Sequence, residues 1–162
     1  MLVGKKIKLR SLRESDLNFL LNIENNCDNW IFGSENKKYT VQEMKNYISN
    51  SKVGITIAKQ FRYVIEKEKP IGFIDLYNYS CDRSYVAIII DKSERKNGYA
   101  CDALNILIDY CFNNLNFTSL KCVIDSQNIP SIKLFSKNSF KKYYSRNKLN
   151  YYILQSRNVK IN

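Results

Sequence analysis

The stretch that decides the fold is "IIIDKSERKNGYACDALNILIDYCF", residues 88–112. Three isoleucines run into a polar loop that carries Arg95, Lys96, Asn97 and Gly98, and a helical pattern follows at once. Ala103, Leu104, Leu107, Ile108, Cys111, Phe112 and Leu115 share one broad apolar face at helical spacing. The apolar run before the loop, "SYVAIIID", predicts a strand buried on both faces. A strand that turns into a helix brings unpaired N–H groups and the positive end of the helix dipole to one point. Gly98 lets backbone approach an anion closely, and Arg95 and Lys96 add fixed charge. The combination points to phosphate, most naturally a pyrophosphate. Neither GxxxxGK[ST] nor GxGxxG is present, which excludes a P-loop and a dinucleotide fingerprint. A solvated turn with a glycine at the helix start is the plain alternative.

Working outward, "KIKLRSL" alternates and predicts a first strand, and "ESDLNFLLNIEN" a helix capped by Ser11 or Ser15. "CDNWIFGSENKKYT" has turn chemistry. Thr40 and Glu43 fit a capping box for a second helix with Val41, Met44, Tyr47 and Ile48 on one face. "QFRYVIEKEKPIGFIDLYNYS" predicts an antiparallel hairpin turning at "KEKP". Beyond the long helix, "SLKCVID" predicts a buried strand and "PSIKLFSKNSF" a short helix. The tyrosine-rich C-terminal segment predicts a pair of strands around a turn at Arg146–Lys148. The order β, α, α, β, β, β, α, β, α, β, β gives an α/β (α+β) chain. The central strand–helix–strand is a right-handed crossover if its strands pair in parallel, and helices cover both sheet faces.

Downstream, "DSQNIPSIKLFSKNSF" supplies a second constellation: Asn128, Ser131, Phe135 and Phe140. Together with "RKNGYA", in this order and separated by one helix and one strand, it resembles the paired signature of the GNAT superfamily of acetyl-CoA-dependent N-acetyltransferases. Nearly the whole chain follows the family's element order. It looks most like the branch with bacterial ribosomal-protein N-terminal and spermidine/spermine acetyltransferases. The resemblance implies one domain over residues 1–162, with a mixed, mostly antiparallel sheet of six to seven strands and a central splayed parallel pair.

It also implies roles. The backbone of Arg95, Lys96, Asn97, Gly98, Tyr99 and Ala100 would hold the CoA pyrophosphate. Ile88, Ile89 and Ile90 would line the pantetheine arm, with the Ile89 N–H polarising the thioester carbonyl. Asn128 and Ser131 would contact the cofactor near the next helix, although Asn128 before Pro130 is also an ordinary helix cap. Phe135 stands where many members carry a tyrosine that protonates the departing thiolate, so water or another hydroxyl would act instead. Ser139 stands where glycine is usual, and Asn138 is expected to supply the left-handed residue that ends the helix.

The chain has no histidine, so a carboxylate is the expected base, and Asp75 in "GFIDLYNY" is the candidate. A surface strand residue or an ion-pair partner is the alternative for it. Asp28, Trp30 and Glu35 are the candidate acceptor contacts, with Glu24, Glu43 and Tyr39 nearby. They suit a polyamine-like amine; a protein N-terminus or an aminoglycoside are alternatives.

Composition sets the bounds. With 162 residues, 44% apolar, 2 prolines and 5 glycines, the chain reads as one globular unit with little room for a linker. The net charge of +11 attracts polyanions without choosing among them. A non-catalytic nucleic-acid-binding module is therefore the rival class, ranked lower because no RNP or helix-turn-helix signature is present. No metal ligand set is expected. The N-terminus does not read as a signal peptide and no apolar run approaches a membrane span, which suggests a cytoplasmic protein. The five cysteines, odd in number and without CxxC spacing, read as small buried hydrophobes in a reducing compartment. A homo-oligomer stays open.

Overall fold

The computed structural model describes residues 1–33 and 36–157. Its sheet has eight strands in the order β1-β2-β3-β4-β5-β6-β8-β7. These are β1 (Leu2–Val3), β2 (Lys8–Ser11), β3 (Phe61–Glu66), β4 (Pro70–Ser80), β5 (Arg83–Ile90), β6 (Ser119–Asp125), β7 (Lys141–Arg146) and β8 (Leu149–Gln155). The helices are α1 (Leu17–Glu24), α2 (Val41–Asn50), α3 (Ile55–Ala58), α4 (Tyr99–Asn113) and α5 (Ile129–Lys137). Among the described residues only β5 and β6 pair in parallel, as the crossover through α4 requires.

The count exceeds the expected six or seven because the first strand region is two. A turn after Gly4 separates β1 from β2, and the two pair antiparallel. The single turn of α3 has too short a pattern to be read from sequence.

Period-2 alternation sorts the core into two layers. On one face, Ile74, Leu76, Val86, Ile90, Leu120, Cys122 and Ile124 meet Leu104, Leu107 and Cys111 of α4 and Phe135 of α5. On the other, Val64 and Phe73 meet Leu20 and Ile23 of α1 and Met44 and Ile48 of α2. Fully burying each such side chain contributes roughly 1.5–3 kcal/mol. The capping box at α2 forms as expected: Thr40 N–H donates to Glu43 and Glu43 N–H to Thr40. At α1 neither Ser11 nor Ser15 is the cap. Asp16 takes that position without a side-chain cap bond to the helix; its carboxylate reaches back instead, accepting the Arg13 N–H and the Arg10 guanidinium.

Three further expectations need correction. Within β5, Ala87 is exposed and Ile88 and Ile89 are only half-buried, so the strand is not covered on both faces. After α5, the left-handed residue is Ser139 (φ 68), not Asn138 (φ −93), whose amide instead donates to Leu134 O at 2.8 Å. Finally, Cys27 and Cys81 are exposed; Cys111 and Cys122 are buried, and burial pushes both thiols up, Cys111 to about 12. All five thiols are free.

Candidate active site

The parallel pair is short. β5 and β6 run together only from Arg83–Ser119 to Tyr85–Lys121, although both strands continue. Beyond Tyr85 the edge of β5 that faces β6 is open. Asp91 N–H donates to Ile71 O at 2.8 Å, and the β4–β5 register keeps step from Ile90 back to Tyr85. Alternation in an antiparallel ladder then turns the backbone of Ile89, Ala87 and Tyr85 toward β4, and that of Val86, Ile88 and Ile90 toward the opening. A donor in the opening therefore comes from Ile88 or Ile90. Ile89, the residue expected in that role, has its N–H directed to Phe73.

The opening leads to the start of α4. Gly98 precedes the helix at φ 80, a left-handed conformation that glycine adopts without strain. The first described helical bond is Asp102 N–H to Gly98 O at 3.1 Å, so the N–H groups of Tyr99, Ala100 and Cys101 point out of the helix end. Lys96, also left-handed at φ 65, helps bend the loop into a cradle. The Asn97 side chain closes it by donating to Glu94 O and Arg95 O. Arg95 faces the strand: its Nε donates to Ile90 O at 2.9 Å and its terminal nitrogen to Asn29 Oδ1 at 3.1 Å. This ties the cradle to the end of β5 and to the loop after α1.

At α5, Asn128 is the helix cap, accepting from the Ser131 N–H at 3.3 Å. The plain reading of Asn128 is thus correct, and its amide nitrogen remains for other partners. Phe135 is buried and meets Phe140 edge to face at 5.0 Å, so both are core side chains.

The other face holds the candidate acceptor region. Arg62 is pinned between carboxylates: Asp75 accepts from it with both oxygens, at 2.7 and 2.8 Å, and Glu24 accepts from a third nitrogen. The guanidinium also lies over the rings of Tyr47 and Phe73. Burial alone would lower the Arg62 pKa; the Asp75 and Glu24 charges reverse that and hold it well above its usual value. Asp75 thus stands as an ion-pair partner, the alternative reading of it, with both carboxylate oxygens taken up by Arg62.

Two further acidic candidates, Glu43 and Asp28, also have partners. Glu43 bonds Lys37 and, less strongly, Thr40, which together hold it at about 2. Asp28 is exposed and lies 3.4 Å from Lys92. Trp30 donates its indole N–H to Glu24 O at 2.7 Å. Glu35 lies outside the described residues. Sequence reasoning missed Arg62, whose role depends on register with Asp75 across the β3–β4 hairpin. Alternation on the two strands was the one signal that could have paired them.

An acetyltransferase (GNAT) domain model matches residues 6–141. The chain belongs to the GNAT acetyltransferase family. Spermidine N(1)-acetyltransferase of Escherichia coli (strain K12) is 26% identical over 137 residues, covering 83% of this chain and 72% of that protein. The crystal structure of spermidine N-acetyltransferase from Vibrio cholerae, in complex with CoA and spermine, superposes with a TM-score of 0.81 at 19% identity. It covers 94% of this chain and 96% of that one. The ribosomal L7/L12 alpha-N-protein acetyltransferase in complex with coenzyme A gives 0.83 at 14% identity, covering 94% and 96%. At these identities the two structures establish the fold. Among the described residues no helix is long and apolar enough to cross a membrane.

Proposed function

We propose that this GNAT acetyltransferase moves an acetyl group from acetyl-CoA to a primary amine by direct attack in a ternary complex. One observation carries the reading: the β5–β6 pair opens beside a helix end whose first N–H groups point outward. The site suits a pyrophosphate linked to an extended arm. N–H groups of Lys96, Asn97, Gly98, Tyr99 and Ala100 take the pyrophosphate, and Arg95 keeps their loop on the end of β5. The pantetheine arm lies along the free edge of β5, with Asn128 and Ser131 at its flank. The N–H of Ile88 or Ile90 stabilises the oxyanion that forms when nitrogen adds to the thioester carbon, a contribution of roughly 3 kcal/mol.

Acyl transfer forms a C–N bond and breaks the C–S bond, and the thiolate departs without a covalent enzyme intermediate. Phe135 cannot protonate it, so water does. The attacking amine loses its proton to water, since Asp75 is held by Arg62. Positioning of the two reactants supplies much of the acceleration.

The first acceptor class is a small polyamine-like amine that meets Asp28, Trp30 and Glu35. The spermidine acetyltransferase relatives support it, and Asp28 is the exposed carboxylate of this set. A protein N-terminal amine is the second reading. It is favoured by the engagement of Glu24, Glu43 and Asp75 with Arg62, Lys37 and Thr40, which leaves little uncommitted negative charge for a polycation. A mass-spectrometric screen of polyamines, aminoglycosides and N-terminal peptides with acetyl-CoA decides between them. Acetylation of none of these amines contradicts the reading.

A further inference from the structure

The turn between β1 and β2 is fastened to the first turn of α4. The Asp102 carboxylate accepts three consecutive backbone N–H groups, from Lys5 (3.2 Å), Lys6 (2.7 Å) and Ile7 (3.2 Å). Gly4 makes the close approach possible: a Cβ there would stand 2.4 Å from Ile106 Cδ1 and 2.6 Å from Asp102 Oδ2. Held at both points, the turn carries Lys6 across the loop of residues 95–98. Its Nζ donates to Asn97 O at 2.9 Å and lies 3.1 Å from where a Cβ of Gly98 would be. That carbonyl occupies one of the three donors of an ammonium, leaving two.

The charges around Lys6 favour an anion. Lys96 lies in the same loop, and Lys67, from the β3–β4 turn, sits over the Tyr99 ring at 5.8 Å. The Asp102 carboxylate is engaged by backbone donors, and Glu94 pairs with Lys69 at 3.8 Å. Arg95, the cation in the motif itself, turns the other way, to Ile90 O and Asn29. The ammonium standing over Gly98 therefore comes from a residue 91 positions before Asn97 in the chain.

We propose that Lys6 is a phosphate-binding residue of the donor site, held in place by Asp102 and Gly4, and that it acts on the pyrophosphate rather than the 3′-phosphate. This rests on the acetyl-CoA reading above. On binding, the ammonium exchanges or shares a neutral carbonyl partner for a phosphate oxygen, and a charge-assisted bond is about twice as strong as a neutral one. The competing role is structural: Lys6 would merely hold the Asn97 carbonyl and so shape the loop.

Calorimetry on the full chain with Lys6→Met and Lys6→Arg, using acetyl-CoA and acetyl-dephospho-CoA, separates these roles; thermal unfolding without ligand accompanies it. Lys6→Met is expected to bind both donors ~tenfold more weakly, with an unchanged unfolding temperature and a shallower fall of affinity with salt. Lys6→Arg is expected to keep most of the affinity. Unchanged binding by Lys6→Met overturns the inference. A loss seen with acetyl-CoA alone overturns the pyrophosphate assignment. A loss that comes with a lower unfolding temperature and is not restored by arginine assigns Lys6 to loop shape. If the unaltered protein binds neither donor, the donor-site reading itself fails, a result distinct from all of these.

Discussion

On the α4 side of the β5–β6 opening, the groups that would meet a ligand are mostly backbone: helix-end N–H groups behind Gly98 and the free edge of β5. On the α1–α2 side they are side chains, and they already hold one another. Arg62 joins Asp75 to Glu24, and Arg10 joins Asp16 to Glu66. The difference teaches where each half of a transfer site gets its order. The proposed donor half is ordered by chain direction and one glycine, leaving its donors available. The proposed acceptor half is ordered by ion pairs that fix the helices on the sheet and consume the charges an acceptor could have used.

The largest expected effect breaks the second half. Arg62→Met leaves Asp75 and Glu24 partly buried without their cation, a loss on the order of 3 kcal/mol. Urea unfolding measures it, and a loss below about 1 kcal/mol would mean that the pairs behave as surface ones. Arg95→Glu attacks the first half. It releases the loop from Ile90 O and Asn29 and makes the loop less positive, so acetyl-CoA affinity falls by about 2 kcal/mol with stability nearly unchanged. Gly98→Ala is expected to cost about 1–2 kcal/mol of stability, because φ 80 is unfavourable for a residue with a Cβ. It weakens acetyl-CoA binding as well.

Asp75→Asn sharpens the comparison, since it removes charge from Arg62 and takes no base from the reaction. Turnover falls modestly while the pH–rate profile keeps its shape; a lost acidic limb would return Asp75 to the role of base. The smallest effect is electrostatic. Burial alone would raise the Asp16 pKa, but the Arg10 guanidinium and the Arg13 N–H outweigh it and hold the pKa below the ordinary aspartate value. A carboxylate depressed by folding adds stability above its unfolded pKa and loses it as pH falls through the folded one. Wild-type stability should therefore drop below about pH 4 more steeply than that of Asp16→Asn, as acid titration of the unfolding midpoint would show.

These halves also differ in how far the sequence discloses them. "RKNGYA" and "DSQNIPSIKLFSKNSF" lie within short windows, and local rules join a strand to a loop and a loop to a helix, so the cradle and the crossover were readable. The Asn128 cap and the Thr40–Glu43 box were readable for the same reason. Arg62 with Glu24 is not, because 38 positions separate them and their meeting depends on how α1 lies on the sheet. Lys6 over Asn97 is further still. The choice among Ile88, Ile89 and Ile90 as oxyanion donor is not readable either, because a run of three isoleucines does not say which backbone faces which neighbour; only the register with β4 does.

The central claim is that acetyl-CoA binds where α4 begins. Calorimetric titration of acetyl-CoA into the unaltered protein at physiological salt, beside a nucleic-acid oligomer as parallel ligand, tests it most directly. The account predicts saturable one-to-one binding of acetyl-CoA that Arg95→Glu weakens. Absence of acetyl-CoA binding, with tight and salt-sensitive binding of the oligomer, would contradict it.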